Sequence, residues 1–102
     1  MIYFDNNATT PVATEVFDAM QPFLTASYGN PSSAYELGQS AERAVHSARE
    51  SVAGLLGAAS ADEIAFTSCG TESDNWAIIS ALEASPGKNH IVTSRVEHDA
   101  VR

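Results

Sequence analysis

The stretch Asp62-Glu63-Ile64-Ala65-Phe66-Thr67-Ser68-Cys69-Gly70-Thr71-Glu72-Ser73-Asp74-Asn75 decides how this chain is read, because its pattern switches there from that of a strand to that of a helix. Over 62–67, Ile64 and Phe66 alternate with smaller or polar neighbours, as a half-buried strand does. The small residues Ser68-Cys69-Gly70-Thr71 make a turn, and a helix-length stretch through Glu72, Trp76, Ile79 and Leu82 runs on until Ser85-Pro86-Gly87 breaks it. His90-Ile91-Val92-Thr93-Ser94 then reads as a second strand. Strand, helix, strand predicts an α/β fold with a right-handed crossover between parallel strands. Ligands are then expected at the carboxyl ends of those strands, and two candidate sites fall there.

Upstream, Val16, Phe17, Met20, Phe23 and Leu24 fall at helical spacing over 13–24, with Pro22 predicting a kink or an early end. A clearer helix follows the loop 28–33, which holds Gly29, Asn30, Pro31 and paired serines. Its apolar stripe is Ala41, Ala44, Val45, Ala48, Val52, Leu55 and Leu56, while Glu42, Arg43, His46, Arg49 and Glu50 lie off it. Gly57 supplies a natural stop. At the start, residues 2–4 are a short apolar run, limited to a few residues by the turn-rich Asp5-Asn6-Asn7 and by Thr9-Thr10-Pro11. No repeat, low-complexity tract or linker divides residues 1–102, so one domain without an internal boundary is expected.

Composition narrows the function. Hydrophobic residues make up 44% of the chain and charged residues 18%, the balance of a folded protein rather than a disordered one. Thirteen acidic residues against five basic ones give a formal charge of −8, which argues against nucleic acid as a partner. The lone Cys69 excludes an intrachain disulfide and suits a reducing compartment, so the cytoplasm is the expected location. The N-terminus lacks the pattern of a secretion signal, and no apolar run approaches the roughly 20 residues of a membrane span.

The turn from Thr67 to Asn75 is the first candidate site. Free backbone N–H groups and the helix dipole favour an anion there, Gly70 permits close backbone approach, and Thr71 adds a hydroxyl donor. On spacing alone an ordinary helix start, capped by a serine or threonine with Glu72 near the positive end, is the simpler account. The second candidate is Glu97-His98, just past the second strand. An imidazole can stack on a flat heteroaromatic ring and exchange protons near neutral pH. From composition alone, a loop histidine of no consequence is the preferred account. His46 and His90 carry less, the first on a polar helix face and the second at a strand start.

Four segments in order resemble the NifS/IscS cysteine desulfurases of the fold-type-I, aminotransferase class V group: Tyr3-Phe4-Asp5-Asn6-Asn7-Ala8-Thr9-Thr10-Pro11, Tyr28-Gly29-Asn30-Pro31-Ser32-Ser33, the stretch 66–75, and Val96-Glu97-His98-Asp99-Ala100-Val101. The form Ser68-Cys69-Gly70-Thr71 looks closest to the nitrogen-fixation branch. The resemblance implies the N-terminal, incomplete portion of a fold-type-I transferase, a parallel-type sheet flanked by helices, with pyridoxal 5′-phosphate as cofactor. Gly70 and Thr71 would hold its phosphate, and His98 would stack on its ring and assist proton transfer. Asn7, Ala8 and Thr9 would lie on the substrate side, and the Gly29-Asn30-Pro31 loop would shape a dimeric site. Ala34-Tyr35 departs from the pattern, since relatives place a histidine close after the paired serines.

The implied reaction takes sulfur from L-cysteine, giving alanine and an enzyme persulfide for an iron–sulfur scaffold protein, with a homodimer as the working unit. It requires a cofactor-linking lysine and a nucleophilic cysteine. Lys88 reads as a surface residue in a turn and Cys69 as a small residue lining the phosphate turn; the resemblance implies that the lysine, the nucleophilic cysteine and the aspartate that pairs with the pyridine nitrogen all lie beyond Arg102. By the same resemblance, Val101-Arg102 falls within what relatives continue as a helix, without a stop signal of its own. Another class V reaction, such as that of a selenocysteine lyase or an aminotransferase, and a non-catalytic binding role are the alternatives. If these residues stand alone, extensive exposed apolar surface is expected.

Overall fold

The computed structural model describes residues 2–102 and contains three α-helices and one short 3-10 turn. The chain divides into two compact units, one reaching Ile64 and the other running from Ala65 to Arg102.

In the first unit the opening residues fold on themselves. The Tyr3 hydroxyl bonds the carbonyls of Asp5, at 2.8 Å, and Thr9, at 2.9 Å. Helix α1, Thr14–Thr25, carries Pro22 and continues three residues beyond it. The expected early end does not occur. Proline removes the single bond to the carbonyl four residues back, and so close to the helix end the remaining turn closes without it. The N–H groups of Ala26 and Ser27 both donate to the Pro22 carbonyl, at 2.9 and 2.8 Å.

Helix α2, Glu36–Leu56, begins before the apolar stripe, because a close backbone contact seats its first turn. A Cβ on Gly38 would lie 2.5 Å from the Ser33 carbonyl oxygen and 2.6 Å from that of Asn30, so only glycine fits against the loop. Gly29 faces Leu37 in the same way. Within the loop, the Asn30 side chain accepts from the Ser32 N–H at 2.9 Å, an Asx turn that fixes the approach to the helix. Ala41, of the stripe, and Ala53, beside it, are the buried apolar residues of α2, and the helix packs on the 3-10 turn Ala61–Glu63. The far end of the stripe is not covered: Leu55 and Leu56 are exposed. Arg49, expected on the polar face, is partly buried, while His46 and Glu50 stay outside and pair at 3.3 Å.

Gly57 ends α2 at φ +73°, ψ 26°, where its own N–H and that of Ala58 converge on the Ala53 carbonyl. The expected stop is met, and its cause is the left-handed backbone that glycine alone adopts without cost.

The second unit is organised on helix α3, Gly70–Glu83. After it, Lys88 N–H donates to the Ser85 carbonyl at 3.0 Å and Gly87 sits at φ +85°, as a turn signal there requires. Two expectations need correction. No β-strand forms among the described residues: 61–63 is a 3-10 turn where a strand was expected to begin, and 90–94 is irregular. Ile64 is extended, at φ −99° and ψ 118°, but a strand also needs a neighbour to bond to. Residues 99–101 form a turn, so Val101 and Arg102 do not lie within a helix.

The Gly57 cap gives a direct test. Gly57→Ala in protein expressed from its own reading frame is expected to cost about 1 kcal/mol, the penalty of a Cβ in the left-handed region. The chemical-denaturation midpoint reads it, with Gly54→Ala, a helical position open to a methyl group, as the contrast expected to be neutral or stabilising.

Candidate functional site

The N-terminus of α3 is built by side chains that bond backward. Cys69 is the N-cap, extended at φ −166° and ψ 172°, and its side chain makes no capping hydrogen bond. The expected serine or threonine cap is therefore absent. Glu72 replaces it. One carboxylate oxygen, Oε2, accepts from the Ser68 N–H at 2.7 Å and from the Ser68 hydroxyl at 2.6 Å. This is a capping box shifted back by one residue. Thr67 and Ser73 complete the support, with their hydroxyls 2.6 Å apart and both within reach of the Cys69 carbonyl, at 3.1 and 3.4 Å.

Because Glu72 turns toward Ser68, its carboxylate does not occupy the positions beyond the Gly70 and Thr71 amides. Those amides belong to the first helical turn and have no acceptor four residues back. A Cβ built on Gly70 meets nothing within 4 Å, so no side chain or backbone from elsewhere covers that side of the turn. The thiol of Cys69 lies at the same turn. The Glu72 amide, then the Ser68 hydroxyl, and to a smaller extent the Thr71 amide hold it below the ordinary thiol range, against the opposing charge of Glu72. A turn whose amides favour a thiolate favours other anions on the same grounds. Glu72 itself is held below the ordinary carboxylate range by the Ser68 hydroxyl and then the Ser68 amide.

His98 belongs to the same unit. Its Nδ1 accepts from the Ala100 N–H at 3.1 Å, which places the proton of the neutral ring on Nε2. Its carbonyl accepts from the Val101 N–H at 2.9 Å, closing the turn. Before it, the Ser94 hydroxyl donates to Glu97 at 2.8 Å, and after it Asp99 pairs with Arg102 at 3.5 Å. The segment carrying His98 and the start of α3 are joined by Asn75, which closes the first candidate stretch but to which the sequence assigned no role of its own. Asn75 Nδ2 donates to the Thr71 carbonyl at 2.8 Å and to the Ala100 carbonyl at 3.1 Å. Its partner lies 25 residues away, and no local pattern signals such a pairing.

Asn7, Ala8 and Thr9 belong to the other unit, in a turn where the N–H groups of Ala8 and Thr9 both point to the Asp5 carbonyl, at 3.1 and 3.4 Å. Lys88 and His90 border a shallow apolar hollow with Ile78, Leu82 and Ile91. Among the described residues, no group of three or more histidine, cysteine, aspartate or glutamate side chains is placed to hold a metal, and no helix is long and apolar enough to cross a membrane.

The folded-state pKa of Glu72 lies below its unfolded value, so its contribution is present above the ordinary carboxylate range and is lost as pH falls through the lower folded value. Glu72→Gln is therefore expected to lower the unfolding midpoint at neutral pH, with the difference closing as the solution is made acid. Unfolding curves of both proteins across the acid range check it, and a constant gap would contradict it.

The aminotransferase class-V family description matches residues 2–102. A protein named cysteine desulfurase from Trichormus azollae is 58% identical over 101 residues, covering 99% of this chain and 25% of its own length. Cysteine desulfurase NifS from Azotobacter vinelandii is 53% identical over 98% of this chain and 25% of its own length. A solved structure titled NifS-like protein superposes with a TM-score of 0.86 at 46% identity, over 98% of this chain and 27% of that one. The chain thus spans about a quarter of the length of these relatives. A family match running from residue 2 to residue 102, joined to this structural similarity, settles the kinship: the chain belongs to the aminotransferase class-V family.

Proposed function

We propose that this chain serves a pyridoxal-phosphate-dependent cysteine desulfurase, which transfers sulfur from L-cysteine to a thiol of the enzyme and leaves alanine. The observation that carries this reading is identity above one half, along nearly the whole chain, to proteins named cysteine desulfurase. The geometry of the α3 start supports it. The open amides of Gly70 and Thr71 and the Thr71 hydroxyl suit a phosphate, and Glu72 is turned away onto Ser68. In this reading the extended backbone at Ile64 and the irregular segment 90–94 serve as strands of the fold-type-I sheet.

Bound pyridoxal phosphate supplies an electron sink for bonds at the α-carbon of an amino acid. The residues of this chain do the rest of the work assigned to it. Gly70 and Thr71 would hold the phosphate oxygens through their amides and the Thr71 hydroxyl. His98 covers the ring face and presents Nε2, the free edge of its imidazole, to take up or deliver a proton. Asn7, Ala8 and Thr9 face the substrate. The sulfur is accepted by another cysteine thiol of the protein: cysteine and a thiol become alanine and a persulfide, with every atom accounted for. Cys69 is reserved for the phosphate turn. The persulfide sulfur passes to an iron–sulfur scaffold protein in the cytoplasm, and the enzyme works as a homodimer.

Protein expressed from its own reading frame, given pyridoxal phosphate, L-cysteine and a dithiol reductant, is expected to release sulfide and alanine in equal amounts. His98→Ala should reduce both about a hundredfold, the usual loss on removing a general acid–base group. Thr71→Val should weaken cofactor binding with a smaller effect on saturated turnover. Cofactor binding without sulfide, but with turnover of selenocysteine or of an amino-group acceptor, would replace this reading by another class V reaction. Absence of cofactor binding would overturn the enzymatic reading altogether.

A further inference from the structure

We propose that Asn75 is a positioning residue that sets where His98 stands relative to the Gly70-Thr71 turn, acting on the proton-transfer role of His98 given above. Four groups form a continuous chain. The Thr71 carbonyl accepts from Asn75 Nδ2 at 2.8 Å, and the same nitrogen donates its second hydrogen to the Ala100 carbonyl at 3.1 Å. The Ala100 N–H, on the other side of that residue, donates to His98 Nδ1 at 3.1 Å. The turn is closed by the Val101 N–H on the His98 carbonyl at 2.9 Å.

The chemistry of each link explains the residue type. A primary amide carries two hydrogens on one nitrogen and can serve two carbonyls at once, whereas a hydroxyl has one hydrogen and a carboxylate has none. The bond to Thr71 is the four-residue back-bond that pins the Asn75 side chain against its own helix. With that side chain held, the second hydrogen has a fixed direction, and Ala100 is drawn to it. Ala100 then presents its N–H to the imidazole, which selects both the ring orientation and the nitrogen that carries the proton. Asn75 thus works through Ala100 on His98 without touching substrate or cofactor.

Two substitutions separate the links. Asn75→Asp keeps the shape, removes both donors and places a carboxylate against two carbonyl oxygens. Asn75→Ser keeps the bond to Thr71 and cannot reach Ala100. Both are made in protein expressed from its own reading frame, with and without His98→Ala. Three readouts are taken: amide exchange at Val101, the imidazole nitrogen shifts of His98 in cofactor-free protein, and kcat and KM for L-cysteine.

In both variants, exchange at Val101 is expected to rise about fivefold, the size of one modest hydrogen bond. The His98 nitrogen shifts should move toward a mixture of tautomers. Turnover should fall about tenfold with KM changed less than about twofold, a loss confined to the reacting step. In the His98→Ala background the same substitutions should change turnover by less than about twofold, the non-additivity expected of residues acting in series. Unchanged exchange and nitrogen shifts, or losses that multiply independently of His98, would overturn the inference. If the unsubstituted protein makes no sulfide, the desulfurase reading falls, and the exchange and nitrogen-shift measurements on cofactor-free protein still decide the role of Asn75.

Discussion

The backward reach of Glu72 onto Ser68 is the constraint on which the candidate site depends. A helix start must satisfy its unpaired amides, and a side-chain cap on N2 or N3 is the usual solution. Here the cap residue is Cys69, which forms no such bond, and the carboxylate two residues into α3 spends its Oε2 on the residue before the cap. The helix is anchored while the amides of Gly70 and Thr71 stay available. The Cys69 thiol beside them is held below its ordinary range by the Glu72 amide first, then the Ser68 hydroxyl and, less, the Thr71 amide, against the charge of the carboxylate nearby. Stability and anion affinity are thus assigned to different atoms of one short turn.

Asn75 extends that arrangement from the turn to the histidine. A phosphate site and an acid–base group serve one small molecule only when the spacing between them is held, because misplacement of about 1 Å costs a large factor in rate. The tie through Ala100 supplies such a spacing inside a unit that offers little apolar core: Trp76 and Ile79 of α3, and Val92 and Val96 beyond it, are all exposed. Polar bonds do here what packing does elsewhere.

Much of this was legible in the residues. Gly57 named the end of α2 because only glycine takes the left-handed backbone without penalty, and Ser68-Cys69-Gly70-Thr71 named the start of α3 because small residues in a row end one regular segment and open another. The strands were not legible in the same way. Alternation at Ile64 and Phe66 states which faces differ, yet a ladder depends on a neighbouring segment, which local pattern does not supply. The early start of α2 escaped notice because its cause, the fit of Gly38 beneath the Asn30 and Ser33 carbonyls, is a contact rather than a periodicity. Asn75 escaped for the same reason, since its second acceptor lies far along the chain. Within the candidate site, residue identities were readable, and the bonds that place them were not.

The central claim is that the start of α3 recognises a phosphate through the amides of Gly70 and Thr71, and the most direct test omits catalysis. Equilibrium affinities of protein expressed from its own reading frame are measured for pyridoxal 5′-phosphate and for pyridoxal, which lacks the phosphate. The account predicts that the phosphorylated compound binds at least about a hundredfold more tightly, as two charge-assisted hydrogen bonds would provide, and that Thr71→Val narrows the gap. Equal affinities, or a preference that Thr71→Val leaves untouched, would contradict it.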